Sequence, residues 1–178
     1  DLAAQFKYRH EVVGMDIGDI DITHASACRN AVAEIQPELV INAAAYTNVD
    51  GCETAREECF AVNAKAVKNI ANACLDKNIT IIHYSTDYVF DGTGNHPYTE
   101  DDPCNPINTY WASKLTGEHY LRHLTANYII IRTAWLYGVK GKNFVQAILE
   151  KAKTTGKLTV VDDQTGSDRK STRLNSSH

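Results

Sequence analysis

The chain has 178 residues, 43% of them hydrophobic, which suits one domain of ordinary size with a sizeable core. A net charge of −4 offers no basic field for nucleic acid, and no apolar run approaches the ~18 residues of a membrane span. The five Cys form no CxxC pair and are odd in number, which argues against a metal site or a disulfide framework and for a reducing compartment.

Asp1–Phe6 reads as the middle of an amphipathic helix without a cap, so a strand and a turn are expected upstream of it. Glu11–Met15 is the first strand signal, and Asp16 follows it. Ala25–Ile35 has helical spacing, with Asp21 or Thr23 available as its cap. Pro37 ends that helix, and Leu39–Ala45 reads as a buried strand running into small residues. Cys59, Val62, Ala66, Val67, Ile70 and Cys74 form a helical stripe. Ile79–Tyr84 is the next strand, and a polar loop with Gly92, Gly94, Pro97, Pro103 and Pro106 follows it. Tyr110–Leu124 is a helix, Tyr128–Arg132 a strand, Phe144–Lys153 a helix and Leu158–Val161 a last strand. Asp168–His178 has no periodicity and reads as a non-native tail encoded by a sequencing adapter.

Continuous apolar strands alternating with helices predict an α/β fold, a doubly wound parallel sheet of Rossmann type covered on both faces. It is expected to be incomplete. Residues 1–167 would be a partial dinucleotide-binding domain without its first strand and glycine-rich turn, and a substrate region would begin near 158–167. In such folds ligands bind beyond the carboxyl ends of the strands. Asp16, Ala43-Ala44-Ala45-Tyr46-Thr47 and Ser85-Thr86-Asp87-Tyr88 all fall there.

Chemistry concentrates in that last segment and in Tyr110-Trp111-Ala112-Ser113-Lys114. Of nine Tyr, only Tyr110 has a Lys four places on, a spacing that puts both side chains on one helix face. An ammonium beside a phenol favours the phenolate, and a Tyr so tuned can exchange a proton with a carbonyl or alcohol oxygen. Nicotinamide-dependent carbonyl reduction uses this chemistry. Thr86, or else Ser85, would hydrogen-bond the reacting oxygen; strand side chains alternate, so only one of them faces the site. Asp16 and Asp21 could accept from the ribose hydroxyls of a dinucleotide and would disfavour a 2′-phosphate; either could equally be a turn or helix cap. Ala43-Ala44-Ala45 permits close approach of a flat ligand, or tight helix-on-sheet packing. His119 and His123 lack a third metal ligand and read as a solvated face, as do Asp101, Asp102, Glu53, Glu57 and Glu58. Trp135 could stack on a sugar ring, though the residues alone favour core packing.

Asn42–Asp50, Tyr84–Gly92, Tyr110–Lys114, Arg132–Gly138, Lys142-Asn143-Phe144 and Asp163–Ser167 together resemble the extended short-chain dehydrogenase/reductase superfamily. More narrowly they resemble its dTDP-4-dehydrorhamnose reductase family, from about Val12 to Ser167. The resemblance implies reduction of the 4-keto group of dTDP-4-dehydro-L-rhamnose to dTDP-L-rhamnose by NADH or NADPH, for cell-surface polysaccharide. It implies Tyr110 as proton donor, Lys114 as the partner that lowers its pKa and holds the nicotinamide ribose, and Thr86 as the assisting hydroxyl. Asp87 and Trp135 would lie at the sugar, which raises stacking over packing for Trp135. Asp16, Asp21, Ile22, Ala45, Tyr46, Thr47 and Tyr84 would touch the cofactor. A nucleotide-sugar substrate, a cytoplasmic location and no membrane, nucleic-acid or metal partner go with it; a homodimer of the full-length protein stays open. One position departs from the pattern, Trp111 where the family carries Gly. With the upstream and downstream parts of the enzyme absent, the fragment is expected to bind dinucleotide poorly. Two alternatives remain: a non-catalytic regulatory subunit like that of methionine adenosyltransferase, and another sugar-nucleotide enzyme such as an epimerase or dehydratase. A dehydratase would want an acidic pair after the Thr, which Thr86-Asp87-Tyr88 does not supply.

Overall fold

The computed structural model describes residues 2–125, 127–136 and 143–160. It divides into two units, one ending at Thr133 and one beginning at Ala134.

The first unit is built on a three-stranded parallel sheet, β1 (Leu39–Asn42), β2 (Thr80–Thr86) and β3 (Tyr128–Thr133), in that spatial order. Ile41 pairs with Ile82 and Ile82 with Ile129, so the side-chain rows of the sheet follow directly from the sequence. Val40, Ile81, Tyr128 and Ile130 point to one face. There they pack with Cys28 and Val32 of α2 (Ala25–Ile35), with Val67, Ile70 and Cys74 of α5 (Ala66–Cys74), and with Leu121 of α6 (Thr109–Leu124). The row with Leu39 and Ile129 points the other way, and these two stay 41% and 50% exposed.

Helix signals held better than strand ends. α2 starts and stops where the spacing predicts, and α6 begins one residue early. The cap of α2 differs from expectation: His24 stands at the N-cap, and its side chain caps no helix amide. Asp21 instead closes the turn before it, accepting from the Thr23 amide and hydroxyl and from His24 Nδ1. The strand expected at Glu11–Met15 does not form, because a strand needs a ladder and no described segment provides one there. The helix at the start is the single short α1 (Leu2–Phe6). β1 stops at Asn42, so Ala43–Ala45 is a loop beyond the strand's carboxyl end.

The predicted stripe from Cys59 to Cys74 is three pieces, preceded by α3 (Val49–Thr54). They are α4 (Arg56–Phe60), a π turn (Ala61–Lys65) and α5. A π turn carries one residue more than an α-helix can hydrogen-bond, and such bulges often re-aim a side chain. The re-aimed side chain here is Asn63, fully buried. Gly117 of α6 lies directly against this turn; a Cβ at that position would collide with the Asn63 carbonyl oxygen.

In the second unit, α7 (Phe144–Thr155) is capped by Asn143, whose Oδ1 accepts from the Gln146 amide, and ends at Gly156 with φ 64°. Lys157–Val160 is irregular rather than the start of a strand. Val161, the Tyr137-Gly138, Lys142 and Asp163–Ser167 parts of the motifs, and the tail from Asp168 lie outside the described residues. Among the described residues no helix is long and apolar enough to cross a membrane.

Backbone at Asn63 cannot give way as a flexible side chain would. Gly117→Ala is therefore expected to destabilise the fold by about 1–3 kcal/mol, read as a lower denaturant midpoint in urea.

Candidate active site at the carboxyl ends of the strands

β2 delivers Ser85 and Thr86 to opposite faces, with different partners. Ser85 Oγ donates to Glu118 Oε1 at 2.5 Å on the helix-covered face. Thr86 lies on the other face and begins a short 3-10 turn, Asp87–Val89. Its Oγ1 accepts from the Tyr88 amide at 3.2 Å and donates to Asp87 Oδ1 at 3.3 Å.

Glu118 is a buried hub that the sequence reading did not single out. Its carboxylate is fully enclosed and takes bonds from Arg132 Nε at 3.1 and 3.2 Å and from Arg132 Nη2 at 2.7 Å. Arg122 approaches it at 3.4 Å. Arg132 also lies 5.0 Å over the Phe90 ring and donates to Cys104 Sγ. One carboxylate thus ties α6 to β2 and β3 at their carboxyl ends.

α6 presents Tyr110 and Lys114. Its start is fixed twice over. Asn108 Oδ1 accepts from the Trp111 amide, and Glu53 accepts from the Thr109 amide and hydroxyl, each at 2.8 Å. Glu53 is therefore not the idle surface charge that the sequence suggested; those two bonds hold its carboxyl below the usual range. Lys114 is 3% exposed, and Nζ donates to the Tyr84 carbonyl at 2.6 Å. Burial lowers its pKa to about 8, although Glu118, one turn along the helix, favours the charged form.

The phenol of Tyr110 corrects an expectation. Its pKa is raised, by desolvation first and then by the buried thiols Cys52 and Cys59. The ammonium's hydrogen bond goes to a strand carbonyl and not to the phenol, so burial governs the Tyr. The Tyr110 hydroxyl makes no hydrogen bond among the described residues.

The loop after β1 is gripped by Asn63. Its Oδ1 accepts from the Tyr46 amide at 2.8 Å, and its Nδ2 donates to the Tyr46 carbonyl at 3.1 Å and to Ser113 Oγ at 3.0 Å. Ser113 Oγ in turn donates to the Tyr110 carbonyl at 2.6 Å. A single amide side chain thus sets the loop against the helix that bears Tyr110. Ala43, Ala44 and Thr47 are exposed and Ala45 half-buried, so among the described residues no helix packs on the small residues. A flat ligand can approach that backbone. Asn42 Nδ2 lies 3.2 Å from His83 Nδ1 in the sheet beneath. Burial there, with Lys114 adding to it, pushes His83 down to about 3 and keeps it neutral.

Asp16 and Asp21 sit in exposed turns before α2. Asp16 Oδ1 accepts from Ile17 and its own amide donates to Asp19, so both aspartates are turn-formers as they stand. Thr23 chiefly lowers the Asp21 pKa. Ile22 packs against the core, and its carbonyl accepts from Asn69 Nδ2 at 3.0 Å. His119 and His123 are exposed, joined only by His123 Nδ1 on the His119 carbonyl. In the second unit Trp135 is 55% exposed and adopts φ 54°, a left-handed conformation uncommon for a bulky residue. It is not packed in a core.

Asn63, Glu118 and Asn69 went unmarked in the sequence, and Glu53 was read as surface charge, because polar residues in helical segments carry no signal of what they face. Only the KxxxE spacing of Lys114 and Glu118 hinted at a shared face. Removing one partner of a buried ion pair strands the other. Glu118→Ala is expected to cost about 3–5 kcal/mol, measurable as a fall in the unfolding midpoint.

A protein-family model described as the RmlD substrate binding domain matches residues 1–175. A dTDP-4-dehydrorhamnose reductase of Aggregatibacter actinomycetemcomitans is 40% identical over 158 residues, 89% of this chain and 54% of that protein. The crystal structure of a dTDP-4-dehydrorhamnose reductase from Clostridium acetobutylicum superimposes with TM-score 0.87 at 42% identity, over 90% of this chain and 57% of the other. That of the Bacillus anthracis dTDP-4-dehydrorhamnose reductase, in complex with NADP, gives TM-score 0.79 at 36% identity, over 85% and 56%. The fold is thus the Rossmann-type parallel sheet expected. The chain spans about half the length of the curated relatives it matches.

Proposed function

The chain belongs to the RmlD substrate binding domain family, and from that membership we propose that its complete gene product reduces the 4-keto group of dTDP-4-dehydro-L-rhamnose to dTDP-L-rhamnose with NADH or NADPH. The relatives' names and the NADP-bound neighbour support the reading. The observation that carries it is the pair on α6: an unbonded Tyr110 hydroxyl and a buried Lys114 ammonium, beside the strand end that bears Thr86.

A dinucleotide fits the residues present. The exposed Ala43-Ala44 backbone suits a flat ring system, and Lys114 Nζ has only one hydrogen bond among the described residues, leaving donors for ribose hydroxyls. Asp16, Asp21, Ile22, Ala45, Tyr46, Thr47 and Tyr84 are the further residues we assign to cofactor contact. When bound, the nicotinamide supplies a hydride to the keto carbon.

The chain's own residues handle the proton. A phenol whose pKa is raised by burial stays protonated at neutral pH, the form that can give a proton to the carbonyl oxygen as negative charge develops there. Tyr110 is the proton donor in this reading, and the Thr86 hydroxyl donates a hydrogen bond to the same oxygen. The Lys114 ammonium stabilises the phenolate left behind. Asp87 and Trp135 are assigned to the sugar. The substrate and cofactor classes are metabolites of the cytoplasm, where we place the protein.

The test is oxidation of NADPH, followed at 340 nm, by the complete gene product with dTDP-4-dehydro-L-rhamnose. Consumption is expected, and Tyr110→Phe is expected to lose on the order of 10²–10⁴-fold in kcat. A wild-type protein that leaves NADPH untouched would sink the reading. A second expectation concerns pH. Lys114 carries its charge below about 8 and loses it above, so kcat/KM should fall as pH rises through about 8. A profile flat to pH 10 would remove Lys114 from the mechanism.

A further inference from the structure

The rings of Tyr88 and Trp111 lie parallel, 4° apart in plane and 4.6 Å between centroids. Tyr88 sits in the turn that follows β2, and Trp111 is the third residue of α6. Both backbones are already anchored. The Tyr88 amide donates to Thr86 Oγ1, and the Trp111 amide donates to Asn108 Oδ1. The stack therefore joins two fixed points, one adjoining Thr86 and Asp87, the other adjoining Tyr110.

We propose that Trp111 is a positioning residue: its stack on Tyr88 is a strut that sets the Thr86–Asp87 turn at a fixed spacing from Tyr110, so that hydroxyl and phenol address one substrate oxygen. The inference rests on the reductase reading and deepens it. Two donors converging on one oxygen must each come within about 2.6–3.2 Å. A slip of about 1 Å between them can cost on the order of a hundredfold in rate. Parallel rings in contact tolerate sliding but resist separation, so the stack holds the turn after β2 at a set spacing from the start of α6.

The strut is not needed to hold the fold. Val89 and Phe90 pack with Leu115, and the Asn105 amide donates to the Val89 carbonyl. These contacts attach the far end of the same turn to α6 whether or not the rings meet. Tyr88 and Trp111 are only half-buried, so the stack contributes little to the core. Its effect falls on the near end of the turn, where Thr86 is.

The experiment uses the complete gene product with Trp111→Leu, Trp111→Phe, Tyr88→Leu and the double variant Tyr88→Leu/Trp111→Leu. Amide hydrogen exchange over residues 84–90 is measured together with kcat and KM for dTDP-4-dehydro-L-rhamnose and NADPH. With Trp111→Leu, exchange at the Tyr88 amide, which bonds Thr86 Oγ1, should quicken by up to about tenfold while the melting temperature barely moves. In the same variant kcat should fall on the order of 10- to 100-fold with KM for NADPH unchanged. Trp111→Phe keeps a ring and should restore both, and the double variant should be no slower than the worse single one. Unchanged exchange in Trp111→Leu overturns the strut, as do Trp111→Phe failing like Trp111→Leu and rate losses that simply add. The exchange arm needs no substrate. If the wild type ignores the keto-sugar, the functional reading falls and exchange alone decides the strut. If Trp111→Leu does not fold, the core-independence argued above is wrong and the strut falls with it.

Discussion

The carboxylate of Glu118 is the point on which the site's geometry depends. A fully buried charge is costly unless it is bonded on several sides. Here Arg132 meets it from β3 and Ser85 from β2, while the residue itself belongs to α6. Satisfying that one group fixes the carboxyl ends of two strands and the middle of a helix relative to each other. Lys114, one turn back, then reaches the Tyr84 carbonyl, the residue just before Ser85. Thr86 lands on the opposite face because its neighbour is held by the carboxylate. The groups proposed to react are thus placed by a buried ionic network.

Burial decides the protonation states around this network. Tyr110 moves up and Lys114 and His83 move down, and desolvation leads in each case. A motif read as an ammonium acidifying a phenol becomes a protonated phenol and a lysine poised near neutrality. That arrangement suits donation of a proton in the reducing direction, and the lysine's charge is then available to the phenolate that forms.

Much of the fold was legible because its signals are local. The apolar run at Ile79–Tyr84 and the spacing over Ala25–Ile35 are sufficient to make a strand and a helix, and the Tyr110–Lys114 spacing places both on one helix face. What was not legible depended on partners far along the chain. Glu11–Met15 has strand-like residues but no ladder. Asp21 had a cap's chemistry but serves the turn before the helix. Glu53 looked like surface charge, although Thr109, 56 positions away, fills both its oxygens. Asn63 gave no sign of its role, since its targets at Tyr46 and Ser113 lie 17 and 50 positions off.

The π turn at Ala61–Lys65 separates two jobs that an ordinary helix would couple. Because the surplus residue is absorbed locally, Cys59 before it and Val67 and Ile70 after it all remain inward-facing. Core packing is thereby insulated from the grip on the Tyr46 loop. The hold on the Tyr46 loop can thus change through a single helical insertion without re-cutting the interior of the domain.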